Sequence, residues 1–168
     1  MSTKSFDERL KEAKSLADIF EVVKRAVRKT QKTGRAGLTL GLADLGGGRE
    51  GFIGAFYPFG SNIIVMNKAI LRRILSANPE LYRPYSFIVL LHEYLHSLGY
   101  LDERLVRDRV RDICLSLFGE THLTTQLAEN MEKFIPELVY PEAGWSPEGD
   151  IKVEMVYDFD RSSVNYIM

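Results

Sequence analysis

Cysteine is almost absent: the 168-residue chain has one, Cys114, so no internal disulfide can form. Cys114 lies on the apolar stripe of an expected helix and reads as core rather than as a nucleophile. No apolar run reaches the length of a membrane span, and the first residues, Met1 to Arg9, lack the hydrophobic region of a signal peptide. Cytoplasmic residence and no membrane partner are therefore expected. Net charge of one sign is missing as well. The formal charge is −1, which gives no electrostatic case for nucleic acid. The local basic clusters, Lys24-Arg25, Arg28-Lys29 and Arg72-Arg73, read as solvated helix faces. Repeats, low-complexity tracts and internal domain boundaries are also lacking. With 45% hydrophobic and 27% charged residues, the chain has the balance of an ordinary globule, long enough for a real core. One domain over 1–168 is expected, with a possible C-terminal extension over 140–168.

Histidine is scarce too, and that scarcity is informative. Of three histidines in the chain, two fall in the pentapeptide His92-Glu93-Tyr94-Leu95-His96. On a helix, positions i and i+4 share a face about 6 Å apart along the axis. Two neutral imidazoles so placed can reach one metal ion at ~2.0–2.1 Å each. Glu93 projects from nearly the same face, displaced from the ligand set but near enough to take a proton from a water. The segment from Ser86 to Gly99 is otherwise apolar almost all round, so the helix should be buried. Phe87, Leu91, Tyr94, Leu95 and Leu98 form its core stripe. Three polar groups facing a protein interior need a partner, and a metal satisfies both imidazoles at once. The pattern supplies two ligands and a general base, the skeleton of zinc hydrolysis.

Beyond the pentapeptide, His92-Glu93-x-x-His96-x-x-Gly99-x-x-Asp102 resembles the extended zinc signature of the metzincin metallopeptidases, over about a dozen residues. In that family the glycine turns the chain under the metal and a third ligand, usually His and sometimes Asp, follows three residues later. The resemblance implies Asp102 as third ligand. Gly99 suits the turn, being able to take φ > 0 after a helix. Asp102 is equally a natural N-cap for a following helix with the stripe Leu101, Leu105, Val106, Val110, Ile113, Leu117 and Phe118. Glu103 is one residue further on and rotated away. His122 follows that long helix, so it is disfavoured as a ligand; donating a hydrogen bond to an oxyanion, or a place on the surface, are its other readings. The chain departs from the metzincin pattern by running straight into another amphipathic helix. The gluzincin peptidases, whose third ligand is a Glu on a following helix, are therefore close competitors.

The order of elements predicts an α+β fold: an N-terminal helix, a small sheet of about three to four strands, the HExxH helix, then further helices. Ser15-Leu16-Ala17-Asp18 reads as a capping box opening a helix with inner face Ile19, Phe20, Val23, Ala26 and Val27, closed by Gly34. Leu38, Leu40 and Leu42 alternate as a strand. Gly46-Gly47-Gly48 is a turn, since the strand-glycine-helix order of a nucleotide site does not follow. Strands follow over Phe52–Tyr57 and Ile63–Met66, and Asn67 caps a short helix carrying Ile70, Leu71 and Ile74. Such an order is similar to the upper part of the zincin fold, which implies that the strand over Ser61–Asn67 binds the substrate backbone. From Tyr140 the chain turns loop-like, includes the only tryptophan, Trp145, and ends in an alternating run from Ile151 to Phe159. That tail should complete the sheet; a sharper expectation is that it lies across the cleft.

The expected function is a zinc-dependent peptidase acting on a peptide or protein substrate. One catalytic Zn2+ would be held by His92, His96 and Asp102, with Glu93 as general base. The other expectation is a non-proteolytic regulatory or binding protein that keeps a zincin-like metal site.

Overall fold

A computed structural model describes residues 4–47, 51–142 and 144–161. Gly48 of the expected turn and residues 162–168 of the tail lie outside them. The fold is α+β, as the element order predicts, and its helices begin where the sequence supplies caps. Ser5 accepts from Glu8 N at the start of α1 (Phe6–Glu12). Ser15 does the same for Asp18 N at the start of α2 (Leu16–Gln31), and Asp18 in return accepts from Lys14 N at 2.8 Å. The inner face of α2 is the expected one. Its end is not: Lys32, in the left-handed region at φ 59°, closes it ahead of Gly34.

Four strands, β1 (Thr39–Ala43), β3 (Ala55–Phe56), β4 (Ile63–Asn67) and β6 (Glu154–Val156), form a mixed sheet in the order β3-β4-β1-β6. Strands β1 and β4 are parallel, and the outer two run antiparallel to their neighbours. The expected single strand over 52–57 is divided at Gly54. Tyr85 Oη lies 2.6 Å from where a Cβ would stand there, so only glycine admits that approach. The first half, β2 (Phe52–Ile53), leaves the main sheet and pairs in parallel with β5 (Leu138–Val139). Strand β4 sits inside the sheet with both edges taken. It therefore cannot accept a substrate strand, contrary to the expectation for Ser61–Asn67.

Asn67 ends β4 fully buried. Its side chain accepts from Ala69 N to cap α3 (Lys68–Ala77) and donates to Gly46 O and Ile53 O. After a 3-10 turn at Pro79–Leu81 comes α4 (Tyr82–Ser97), with Pro84 in its first turn, where a missing N–H costs nothing. Every α4 residue from Pro84 to His96 is buried. Helix α2 covers one side, where Tyr94 meets Phe20 edge-on. Helices α5 (Glu103–Phe118) and α6 (Leu123–Glu129) cover another, and the short α7 (Met131–Phe134) leads into β5. Arg35 ties the end of α4 to the sheet: its guanidinium donates to Ser97 O, Ser61 O and Tyr57 Oη, each at 3.0 Å. A cation on those last carbonyls also opposes the negative end of the helix dipole.

The tail does complete the sheet, through β6 on β1, but over three residues rather than the whole alternating run. Tyr157 is exposed, and Asp158 (φ 58°) turns the chain inward. Phe159 then stacks on Phe20 at 4.2 Å, and buried Asp160 accepts from Lys24 Nζ and Leu38 N.

Candidate metal centre

Buried helix α4 carries His92, Glu93 and His96, exposed by only 5%, 8% and 4%. The two imidazole centroids lie 5.0 Å apart, as the i, i+4 spacing requires. Past Leu98, Gly99 takes φ 104° and the chain reverses, as the sequence anticipates. What the turn delivers differs from the expected third ligand. Asp102 is the N-cap of α5, its Oδ1 accepting from Leu105 N at 2.8 Å. That bond directs its carboxylate along the new helix. Glu103, the first residue of α5, swings towards α4 instead. Its Oε1 lies 2.6 Å from His92 Nε2 and its Oε2 2.9 Å from His96 Nε2. The three donor atoms of His92, His96 and Glu103 all fall within 4.8 Å of one another.

The chemistry of this donor set points to a cation. His96 Nδ1 lies 2.7 Å from Tyr100 O, and a carbonyl only accepts, so Nδ1 must carry the hydrogen. In a neutral ring that leaves Nε2 a bare lone pair facing a carboxylate oxygen. Two acceptors at 2.9 Å need a proton or a metal between them. Glu103 Oε1 is buried and lies 2.6 Å from His92 Nε2. The electrostatics follow this geometry. Burial works to raise the Glu103 carboxyl, but hydrogen bonds and charge from His92 and His96 outweigh it and hold it down at about 2. Burial works to lower His96, and its bond to Glu103, the charge of Glu93 and the Tyr100 carbonyl reverse that and raise it above 6.5.

Glu93 stands outside the three-donor group but lines the same small cavity as His92, His96 and Glu103. Burial raises its carboxyl above the usual range, opposed by the two imidazoles. A carboxylate so placed is poised to exchange protons nearer neutral pH.

Several residues join the site that sequence reading did not assign to it. Tyr140 stacks on His92 at 5.3 Å and 26°, and the Arg107 guanidinium lies 5.1 Å over its ring. Burial pushes the Tyr140 hydroxyl up to about 12. The Phe59 ring lies 6.1 Å from that of His96. Pro141, Glu142, Gly144 and Trp145 line the cavity beside His92, His96 and Glu103, which holds only about 10 Å³. Of the segment expected across the cleft, Trp145 to Met168, only Trp145 lines it among the described residues. A larger opening of about 290 Å³ begins beside His92 and Tyr140 and runs between α5 and α7, past Arg104, Arg107 and Glu132.

His122 lies elsewhere. Its Nδ1 accepts from Thr124 N to cap α6, so Nε2 carries the hydrogen and donates to Asp7 at 2.7 Å, fastening α1 to α6. Cys114 is buried, and burial raises its thiol to about 12, an inert core group. No family model, curated protein or solved structure matches the chain.

Proposed function

We propose that His92, His96 and Glu103 hold one zinc ion, and that the chain is a zinc-dependent peptidase with Glu93 as general base. The observation that carries this reading is the convergence of three ligand atoms from His92, His96 and Glu103, with the His96 Nδ1 hydrogen donated to the Tyr100 carbonyl so that Nε2 faces the carboxylate. Nitrogen and carboxylate donors in a set of three suit zinc and leave a fourth position open, the mark of a catalytic site. A zinc ion there supplies Lewis acidity and brings the pKa of a water down towards ~7. Glu93 takes the proton from that water as it attacks a peptide carbonyl, then returns it to the leaving amine. Its burial, which raises its proton affinity, serves both halves of that transfer. Tyr140, stacked on His92 and in contact with Arg107, holds the first imidazole in line. A glutamate ligand at the start of the next helix also resembles the gluzincin arrangement more than the metzincin spacing.

Elemental analysis and zinc titration of chelator-free protein test the site, with about one zinc per chain expected. Protein that neither carries nor takes up zinc would overturn the reading. Hydrolysis of a mixed peptide library that is abolished by a chelator and restored by zinc tests the activity.

One observation favours a second reading. With only about 10 Å³ over the donor set, the site could serve a regulatory or binding protein in which the metal does no chemistry. Zinc-loaded protein that cleaves no peptide under any condition would favour it. Among the described residues no helix is long and apolar enough to cross a membrane. The cytoplasm, where a lone buried thiol stays reduced, is the proposed compartment.

A further inference from the structure

The residues that cover the metal-binding group do so in a particular order. Leu138 and Val139 first pair with Phe52 and Ile53, prolonging the line of the edge strand β3. Tyr140 follows, its ring flat on His92. Pro141, Glu142, Gly144 and Trp145 then cross in front of His92, Glu93, His96 and Glu103. Trp145 ends the run edge-on against Phe56 of β3 at 5.6 Å. The run thus enters by strand pairing, passes the metal-binding group, and is pinned by an aromatic contact.

The space it leaves is small. One cavity, between Gly54 and Ala55 on one side and Leu138 to Pro141 on the other, holds about 20 Å³; the one over the donor set holds about 10 Å³. Each is about the room of a single water. The opening of about 290 Å³ lies on the other side, between α5 and α7; a peptide that lies on β3 over the donor set has to take the place of these residues. Extended peptides add to exposed sheet edges through main-chain hydrogen bonds, with side chains in flanking pockets. Here the edge beside the donor set is β3, whose Phe56 lines the same cavity, because β4 is enclosed between β3 and β1.

We infer that residues 138–142, 144 and 145 occupy, in cis, the groove in which this site binds an extended peptide, and that they leave it when such a peptide enters. The inference rests on the metallopeptidase reading and adds where its substrate lies. The run is held by two residues of strand pairing, the stacking of Tyr140 on His92, the packing of Trp145 on Phe56 and close packing of Gly144 on Phe59. Its ends are tethered, by α7 before it and by Phe159 and Asp160 after it. It can therefore swing out without unfolding the core. An occupied groove lowers apparent affinity for any peptide by the fraction of molecules in which it is open.

Gly144→Ala tests this without touching the donor set. A Cβ there would meet Phe59 at 2.8 Å, and φ 82° is unfavourable for alanine, so the run should sit out of the groove more often. The probes are an acetylated tetrapeptide hydroxamate, which combines an extended backbone with a zinc-binding end, and acetohydroxamate, which has that end alone. On zinc-loaded full-length protein, the variant should bind the peptide hydroxamate about 3- to 10-fold more tightly and acetohydroxamate within twofold of wild type. Emission from Trp145, the only tryptophan, should shift to the red. Trp145→Ala, followed by calorimetry, is the second variant and should show the same peptide-specific gain. Unchanged peptide hydroxamate affinity in both variants overturns the inference while leaving the metal site standing. An equal gain for both probes also overturns it, since the run would then merely shield the metal. Failure to load zinc, seen before either probe is added, fells the metallopeptidase reading and this inference with it.

Discussion

Substituting Glu103 and Asp102 separately should have opposite consequences, and the contrast tests the geometry of the metal centre. In Glu103→Ala, both Nε2 atoms lose the carboxylate that faces them at 2.6 and 2.9 Å. Structural zinc sites with four ligands bind with about 10–16 kcal/mol, so one ligand is worth about 3–4 kcal/mol. Zinc affinity should therefore fall by ~10²–10³-fold. In Asp102→Ala the loss is a helix cap: Leu105 N gives up its acceptor, at about 0.5–2 kcal/mol of stability. Its zinc affinity should stay within a few-fold of wild type, since its carboxylate is outside the donor group. Competition titration against a zinc chelator of known affinity measures the first quantity and urea unfolding of the metal-free proteins the second. Zinc lost in Asp102→Ala and retained in Glu103→Ala would refute the argument, placing the third ligand at the metzincin spacing.

Other outcomes follow from the same structure. Glu93→Gln should keep zinc and lose ~10²–10⁴ in peptide turnover, measured at saturating zinc; loss of zinc instead would make Glu93 a ligand. Because zinc must displace the proton on His96, whose pKa is raised, apparent zinc affinity should fall as pH drops through that raised value. A flat titration between pH 8 and 5 would contradict that. Metal-free protein should behave in the opposite sense: a raised folded pKa gives stability that is full below the ordinary value of His96 and lost as pH rises through the raised one. Urea midpoints across that range check it. Phe159→Ala should cost about 3–5 kcal/mol, as its ring is buried on Phe20, so deletion of the tail should unfold the chain where Gly144→Ala does not.

Much of this architecture is legible in the chain because its causes are local. Ser15, Asn67 and Asp102 are short polar side chains ahead of helical stripes, and each caps the helix it precedes. The HExxH spacing places two imidazoles on one helical face whatever surrounds them. Capping, however, also decides which carboxylate meets the two imidazoles. A residue whose carboxylate is bonded to the N–H three residues on cannot also turn back to the preceding helix, so its neighbour, Glu103, does. Sequence spacing offers both residues; only the entry angle of α5 separates them. Gly54, which splits a strand, and Tyr140, which stacks on His92, depend on contacts far apart in the chain. No periodicity records such contacts. The tail shows the same limit: alternation from Ile151 to Phe159 reads as one strand, yet Asp158 turns the chain and sends Phe159 to a different partner.

All three donors and Glu93 lie within the stretch 92–103, on one helix end and the start of the next. Seven residues separate His96 from Glu103, whereas 46 separate His92 from Leu138. Closing the shorter loop costs about 1.7 kcal/mol less in chain entropy. The helical hairpin can therefore gather its donors before the sheet edge has paired with β5. If the group holds a cation as proposed, one present during folding would meet the gathered donors on a half-folded chain, and the covering residues would close over it afterwards. Loading and concealment would then be separate events, the first local and early, the second dependent on distant segments and late.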